Sequence, residues 1–305
     1  MREERDWTFD GTWPHAPSWF DTADGRLHFV DVGPRAGPVV LLLHGNPTWG
    51  YLYRHFIPPL VAAGHRVIVP DHLGFGRSDK PAAPAAYGVE RHALRLAALL
   101  DALAVRDVTL VAHDWGGPIG LHWATRNPAR VARLVFLDTF LHRPLGPLAL
   151  PLPLRLFRAR GLGEALVKGL HALVRVFLFR VGLRRRERLT PTTRAAYLAP
   201  HPSWSSRTAI LEFCRAFPDR PEGAVAELHG RIQAGLGALG RRPIFVAWGG
   251  HDVVFGPDVL ARWLAEFPDA QVLRLPDAGH FVQEDAHELL VPALLAFLER
   301  GRRAA

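Results

Sequence analysis

Six short apolar runs, at residues 39–43, 67–69, 108–111, 134–137, 244–247 and 272–275, punctuate this 305-residue chain. Each is followed by a turn and then by a stretch with helical spacing. A strand that is apolar on both sides must be covered on both sides, and parallel sheets with helical crossovers do this. The expected fold class is therefore α/β, a mostly parallel sheet flanked by helices. Helices are expected at 116–125, 257–267 and 288–300, and an antiparallel hairpin at 20–32 should lead into the sheet.

The alternation lapses over 139–241, where apolar residues keep helical spacing and no strong strand run occurs. The chain then divides into a first core part (1–138), a helical cap (139–241) and a second core part (242–305). The insert leaves one strand and returns to the next, so its ends lie at the C-terminal edge of the sheet, where α/β folds bind ligands. A cap over an active site is the expectation.

The only cysteine is Cys214, which excludes an intramolecular disulfide, a CxxC redox pair and a cysteine-based zinc site. No uncharged apolar run reaches the roughly 18 to 20 residues of a membrane span. The start of the chain, charged and then aromatic, lacks the apolar core of a secretory signal, so a cytoplasmic location is expected. The net charge of +8 is concentrated: between Arg155 and Arg194, eleven Lys and Arg stand against two Glu, more than the whole chain's excess. Within this stretch, 163–183 reads as one amphipathic helix with an apolar side for the active site and a basic side for solvent. The competing use of the basic side is contact with an anionic membrane surface or an acidic protein. No nucleic-acid motif is present.

The segment Leu110-Val111-Ala112-His113-Asp114-Trp115-Gly116-Gly117 is an apolar strand that turns at once into a helix. In a nucleophile elbow the residue on the turn stands out at the top of the sheet, and small residues two places before and after it let strand and helix approach. Ala112 and Gly116 meet that demand, and the exposed position holds Asp114. A carboxylate there displaces a leaving group at carbon or opens a strained ring, forming an ester with the enzyme. His280, in Asp277-Ala278-Gly279-His280, follows the last strand and completes the order nucleophile, acid, histidine. Its imidazole would activate water against the ester. Two strands end in an acid that could orient it, at Asp138 and at Asp252; Asp252 is preferred because its strand directly precedes that of the histidine. After the first long run, Leu43-His44-Gly45-Asn46-Pro47 supplies one oxyanion-hole N–H from Asn46, and Trp115 supplies the other. The Asn46 amide and the Trp115 indole are also uncharged N–H donors suited to a departing halide. His44, His72, His113 and His251 have no metal-ligand spacing and are read as loop hydrogen-bonders.

His44-Gly45-Asn46-Pro47, Asp71-His72-Leu73-Gly74-Phe75-Gly76-Arg77-Ser78, His113-Asp114-Trp115-Gly116-Gly117 and Asp277-Ala278-Gly279-His280 together resemble the haloalkane dehalogenases over nearly the whole chain. The resemblance implies an α/β-hydrolase fold and a site of Asp114 (nucleophile), His280 (base), Asp252 (acid), and Asn46 with Trp115 (halide pair). It implies a hydrophobic small-molecule substrate, a halide ion as product, an alkyl-aspartate intermediate and no metal or organic cofactor. The β-lactone decarboxylases of long-chain olefin biosynthesis are very similar to the same branch, and ring opening of a β-lactone stands as the alternative. Epoxide hydrolases also resemble the elbow but use two cap tyrosines, and only Tyr197 of the four tyrosines lies in the insert. A hydrolase-fold binding protein without chemistry is the non-enzymatic alternative, disfavoured because nucleophile, base, acid and donors are all present.

Overall fold

The structure, a computed structural model, describes residues 6–141, 152–240 and 242–300. Strands β1 (Ser18–Thr22), β2 (Gly25–Val32), β3 (Val39–Leu43), β4 (Arg66–Pro70), β5 (Val108–Asp114), β6 (Val131–Thr139), β7 (Ile244–Gly249) and β8 (Gln271–Leu275) form one sheet. Their order across it is β1-β2-β4-β3-β5-β6-β7-β8. The β1–β2 and β2–β4 pairs are antiparallel and the remaining neighbours are parallel. Every apolar run lies in a strand, and β3, β4, β5 and β7 are buried along their full length. At the edge, β8 buries only Leu275 completely, which is why it tolerates Gln271 and Arg274.

Helices α1 (Ile57–Ala62), α2 (Val89–Ala102) and α3 (Gly116–Ala124) connect the first strands. Between β6 and β7 the described residues hold no strand. They form α4 (Leu152–Arg158), two π-helical segments (Glu164–Gly169 and Leu173–Val181), α5 (Pro191–Leu198), α6 (Thr208–Arg215) and α7 (Ala224–Ala234). Residues 142–151 and 241 of the predicted insert lie outside the described residues. Thr190 starts α5 by accepting the Thr193 N–H at 3.1 Å, with proline at the first helical position. After β7 come α8 (Pro257–Glu266), α9 (Val282–Asp285) and α10 (His287–Arg300). The helices read at 116–125, 257–267 and 288–300 thus match α3, α8 and α10 within a residue.

The single helix expected over 163–183 is instead two. His171 takes a positive φ of 56°, a conformation that ends a right-handed helix. The N–H groups of Leu170 and Gly182 donate five residues back, to the carbonyls of Ala165 and Phe177. The wider turns still bury Leu173, Val174, Leu178 and Phe179 while leaving Arg175, Val176, Arg180 and Val181 exposed. No helix among the described residues is long and apolar enough to cross a membrane.

Candidate active site

Asp114 ends β5 with φ 49°, in the left-handed region, and the ladder to β6 shifts register between His113 and Asp114. The turn into α3 is tight enough that a Cβ on Gly116 would stand 2.5 Å from the Leu43 carbonyl oxygen. Gly45 is equally constrained, because a Cβ there would strike the Asp114 carboxylate. Glycine at these two places brings the loop after β3 against the elbow.

That approach sets the carboxylate's orientation. Oδ1 accepts the Asn46 N–H at 2.7 Å, and the Trp115 N–H also donates to the carboxylate. Oδ2 lies 3.8 Å from His280 Nε2. Burial raises the Asp114 pKa to about 6, against the opposing pull of His280 and the two N–H donors.

On the other side of the imidazole, His280 Nδ1 lies 3.0 Å from Asp252 Oδ2. Asp252 Oδ1 accepts the N–H groups of Val254 at 2.7 Å and Phe255 at 3.1 Å, which fixes its carboxylate. Burial works to lower the His280 pKa, but Asp252 first and then Asp114 outweigh it, and the pKa rises above its ordinary 6.5. The His280 loop is held from three directions. His113 Nε2 donates to the His280 carbonyl at 2.9 Å, Asp285 Oδ2 accepts the Gly279 N–H at 2.7 Å, and the Phe281 N–H reaches the Gly182 carbonyl. Asp285 also accepts the N–H groups of Arg184 and Arg185, tying the insert to this loop.

The second acid read from the sequence, Asp138, does not contact His280. Its Oδ1 accepts the Gly249 N–H at 2.9 Å, and its carboxyl faces that of Asp252. Burial, then the neighbouring Asp252, pushes its pKa well above the carboxylate range. His44, His72 and His113 do join loops: His44 Nε2 accepts the His72 N–H at 2.9 Å, and His72 Nε2 donates to the His44 carbonyl.

Asn46, Asp114, Trp115 and His280 meet at the floor of a cavity of about 510 Å³. The Trp115 indole N–H has no protein acceptor among the described residues, and its ring is wedged against Phe140 and Phe213. Asn46 departs from the expected pose, because its amide donates to the Ile210 carbonyl at 3.2 Å and to Cys214 Sγ at 3.7 Å, both on α6. None of the four tyrosines lines the cavity; Tyr197 donates to the buried Glu284, which also holds Arg54.

A family model described as alpha/beta hydrolase fold matches residues 38–287. The cis-3-alkyl-4-alkyloxetan-2-one decarboxylase of Xanthomonas campestris is 39% identical over 295 residues, spanning 93% of this chain and 96% of that protein. A haloalkane dehalogenase of Psychrobacter cryohalolentis is 34% identical over 306 residues, spanning 98% of this chain and 95% of that protein. The chain belongs to the haloalkane dehalogenase family of the α/β-hydrolase fold. The solved structure of the haloalkane dehalogenase DbeA from Bradyrhizobium elkani superposes with a TM-score of 0.86 at 29% identity, covering 95% of this chain and 99% of that one.

In this member of the dehalogenase family, motif reading reached the cavity floor but not its walls. Phe140, Phe177, Phe213, Cys214 and Phe255 surround the reacting end of the cavity, and Arg262 with Asp258 brings charge to its lining. An apolar side chain in a helical insert carries no spacing signal that separates a cavity wall from ordinary core. Phe140 gave one indirect sign, its place two residues after the Asp138 strand end.

Proposed function

We propose that this chain catalyses a displacement on a hydrophobic substrate, with Asp114 Oδ2 attacking a saturated carbon to form an alkyl-aspartate ester. The observation that carries the reading is the split environment of one carboxylate. Oδ1 accepts the Asn46 N–H at 2.7 Å, and Oδ2 faces His280 at 3.8 Å beneath an apolar cavity. When water later attacks the ester carbon, Oδ1 becomes the oxyanion and is already held by the Asn46 N–H, with the Trp115 N–H donating to the same carboxylate. His280 takes the proton from that water while Asp252 stabilises the imidazolium. The insert between β6 and β7 serves as the cap, and Asn46 and Trp115 serve the leaving group.

Two leaving groups fit this chemistry. For a haloalkane, the carbon–halogen bond breaks, halide departs toward the Trp115 indole N–H, and hydrolysis returns an alcohol and Asp114. For a 3,4-dialkyl oxetan-2-one, attack at the ring carbon bearing oxygen frees a carboxylate on the adjacent carbon. Loss of carbon dioxide then leaves an electron pair that forms the alkene as the carbon–Asp114 oxygen bond breaks, restoring the carboxylate without water or a proton.

We favour the lactone. Two relatives named for that substrate are 37 to 39% identical to this chain, against 33 to 34% for the dehalogenases compared with it. The Asn46 amide, engaged by α6, also leaves Trp115 as the freer side-chain donor for a halide. The motifs alone put dehalogenation first; dehalogenation is retained as the second reading on the strength of that free indole donor. Assaying bromoalkanes beside a long-chain cis-dialkyl oxetanone separates the two: alkene and carbon dioxide support ring opening, halide release supports dehalogenation. Turnover of neither, with tight ligand binding, would leave only a binding protein.

A further inference from the structure

We infer that the insert face around the cavity mouth docks on an anionic lipid bilayer, so that a lipophilic substrate enters the cavity from the membrane. The inference rests on the hydrophobic substrate proposed above.

Two sets of side chains from one stretch carry it. Leu152, Leu156, Leu162, Leu170, Val176 and Val181 are exposed, Leu152 by 63% and Leu170 by 67%. With Trp204 they make seven of the eleven large hydrophobic side chains exposed among the described residues, so the exposure is concentrated. Arg155, Arg160, Arg175, Arg180, Arg184 and Arg186 are exposed on the same stretch or at its end, or flank it, and their side chains make no ion pair among the described residues. By contrast, the nearby Arg158 and Arg188 are matched by Asp219 and Glu288. The six exposed arginines balance no charge among the described residues.

The two sets interleave at the mouth. On the π-helical segment Leu173–Val181, positions five apart return to one side, which places Arg175 and Val176 above Arg180 and Val181. Val176 and Val181 also line the cavity, together with Leu154 and Phe157 of α4. Beside this rim Lys168 lies 5.3 Å from the ring centroid of the half-exposed Trp204, an aromatic and a cation of the kind that settle at a lipid–water boundary. An acidic protein would match the arginines, but a bilayer with anionic headgroups meets both sets at once: phosphates for the guanidinium groups and hydrocarbon for the apolar side chains. Large exposed apolar clusters mark contact surfaces in general, and two members of this set, Val176 and Val181, also line the apolar cavity.

The test is sedimentation of the full-length protein with vesicles of phosphatidylcholine and phosphatidylglycerol, and with phosphatidylcholine alone. Binding should occur on the mixed vesicles, and pure phosphatidylcholine or high salt should weaken it at least tenfold. Each basic residue near such a surface contributes about fivefold in affinity, so the triple variant Arg175→Glu, Arg180→Glu, Arg184→Glu should lose roughly 100-fold. The pair Leu170→Ser, Trp204→Ser should lose about tenfold. None of these side chains lines the cavity or packs in the core, so unchanged melting temperatures confirm that the variants are folded. A folded wild type that ignores anionic vesicles, or binding indifferent to both charge reversal and salt, overturns the inference. Because the readout is binding, its failure is distinct from a failure of the proposed reaction.

Discussion

Replacing His280 with alanine should let a bromoalkane alkylate the enzyme once and then stop it. Displacement by Asp114 needs no proton transfer, whereas hydrolysis of the ester does, and His280 Nε2, 3.8 Å from Asp114 Oδ2, is the base beside that ester. Loss of a positioned general base costs roughly 10² to 10⁴-fold, and that loss falls on the second step alone. His280 also helps to ionise Asp114, so its removal moves the Asp114 pKa upward from about 6. Working at about pH 8.5 keeps most of the carboxylate ionised and preserves the first step. Intact-protein mass spectrometry should show a mass increase of one alkyl group, and peptide mapping should place it on Asp114. A dialkyl oxetanone should behave differently: its intermediate breaks down without water, so the same variant should continue to form alkene without accumulating an adduct. Hydrolysis of the bromoalkane by the variant within tenfold of wild type, or an adduct on another residue, would refute the reasoning. No adduct from any bromoalkane, with lactone turnover intact, would restrict the enzyme to ring opening.

Four further outcomes follow from the same geometry. Asp252→Asn should lower hydrolytic turnover by about 10² to 10⁴-fold, while Asp138→Asn, whose amide can still accept the Gly249 N–H, should stay within about tenfold; steady-state kinetics would expose the reverse ranking. Attack requires ionised Asp114, so single-turnover ester formation or lactone opening should fall as pH drops through about 6, whereas hydrolysis should fall at a higher pH, set by the raised His280 pKa. Because the folded-state pKa of Asp114 lies above its unfolded value, its contribution to stability is greatest below about pH 4 and is lost as pH rises toward 6. Asp114→Asn should therefore be more stable at pH 8 by an amount on the order of 2 kcal/mol and inactive, and a denaturation midpoint no higher than wild type would contradict this. Gly116→Ala should destabilise by about 1 to 3 kcal/mol, since its Cβ would press on the Leu43 carbonyl, and urea titration measures it.

The parts of this fold that could be read from sequence are those set by local rules. The strands announce themselves because burial on both sides leaves no room for polar residues, and the elbow does so because only small residues allow β3, β5 and α3 to converge. The acid is harder to place, since Asp138, one residue before the end of β6, and Asp252, three residues past β7, both follow apolar runs of parallel strands, and sequence order alone favours one without excluding the other. The difference lies in direction. The Asp138 carboxyl turns from β6 to the Gly249 N–H at the end of β7, whereas the loop after β7 carries Asp252 back until it reaches His280 Nδ1. The sequence also could not reveal that the rejected acid would stay beside the chosen one. Two buried carboxyls in contact cannot both ionise cheaply, and burial together with the neighbouring Asp252 pushes the Asp138 pKa well above the carboxylate range. Illegibility was greatest in the insert, where apolar spacing could not distinguish one α-helix from two π-helical segments broken at His171. Past that break Leu173, Val176, Phe177 and Val181 line the cavity, while Arg175 and Arg180 reach the surface. The residues around Asp114 and His280 are therefore legible as short motifs, while part of the cavity wall follows from a backbone irregularity that no motif encodes.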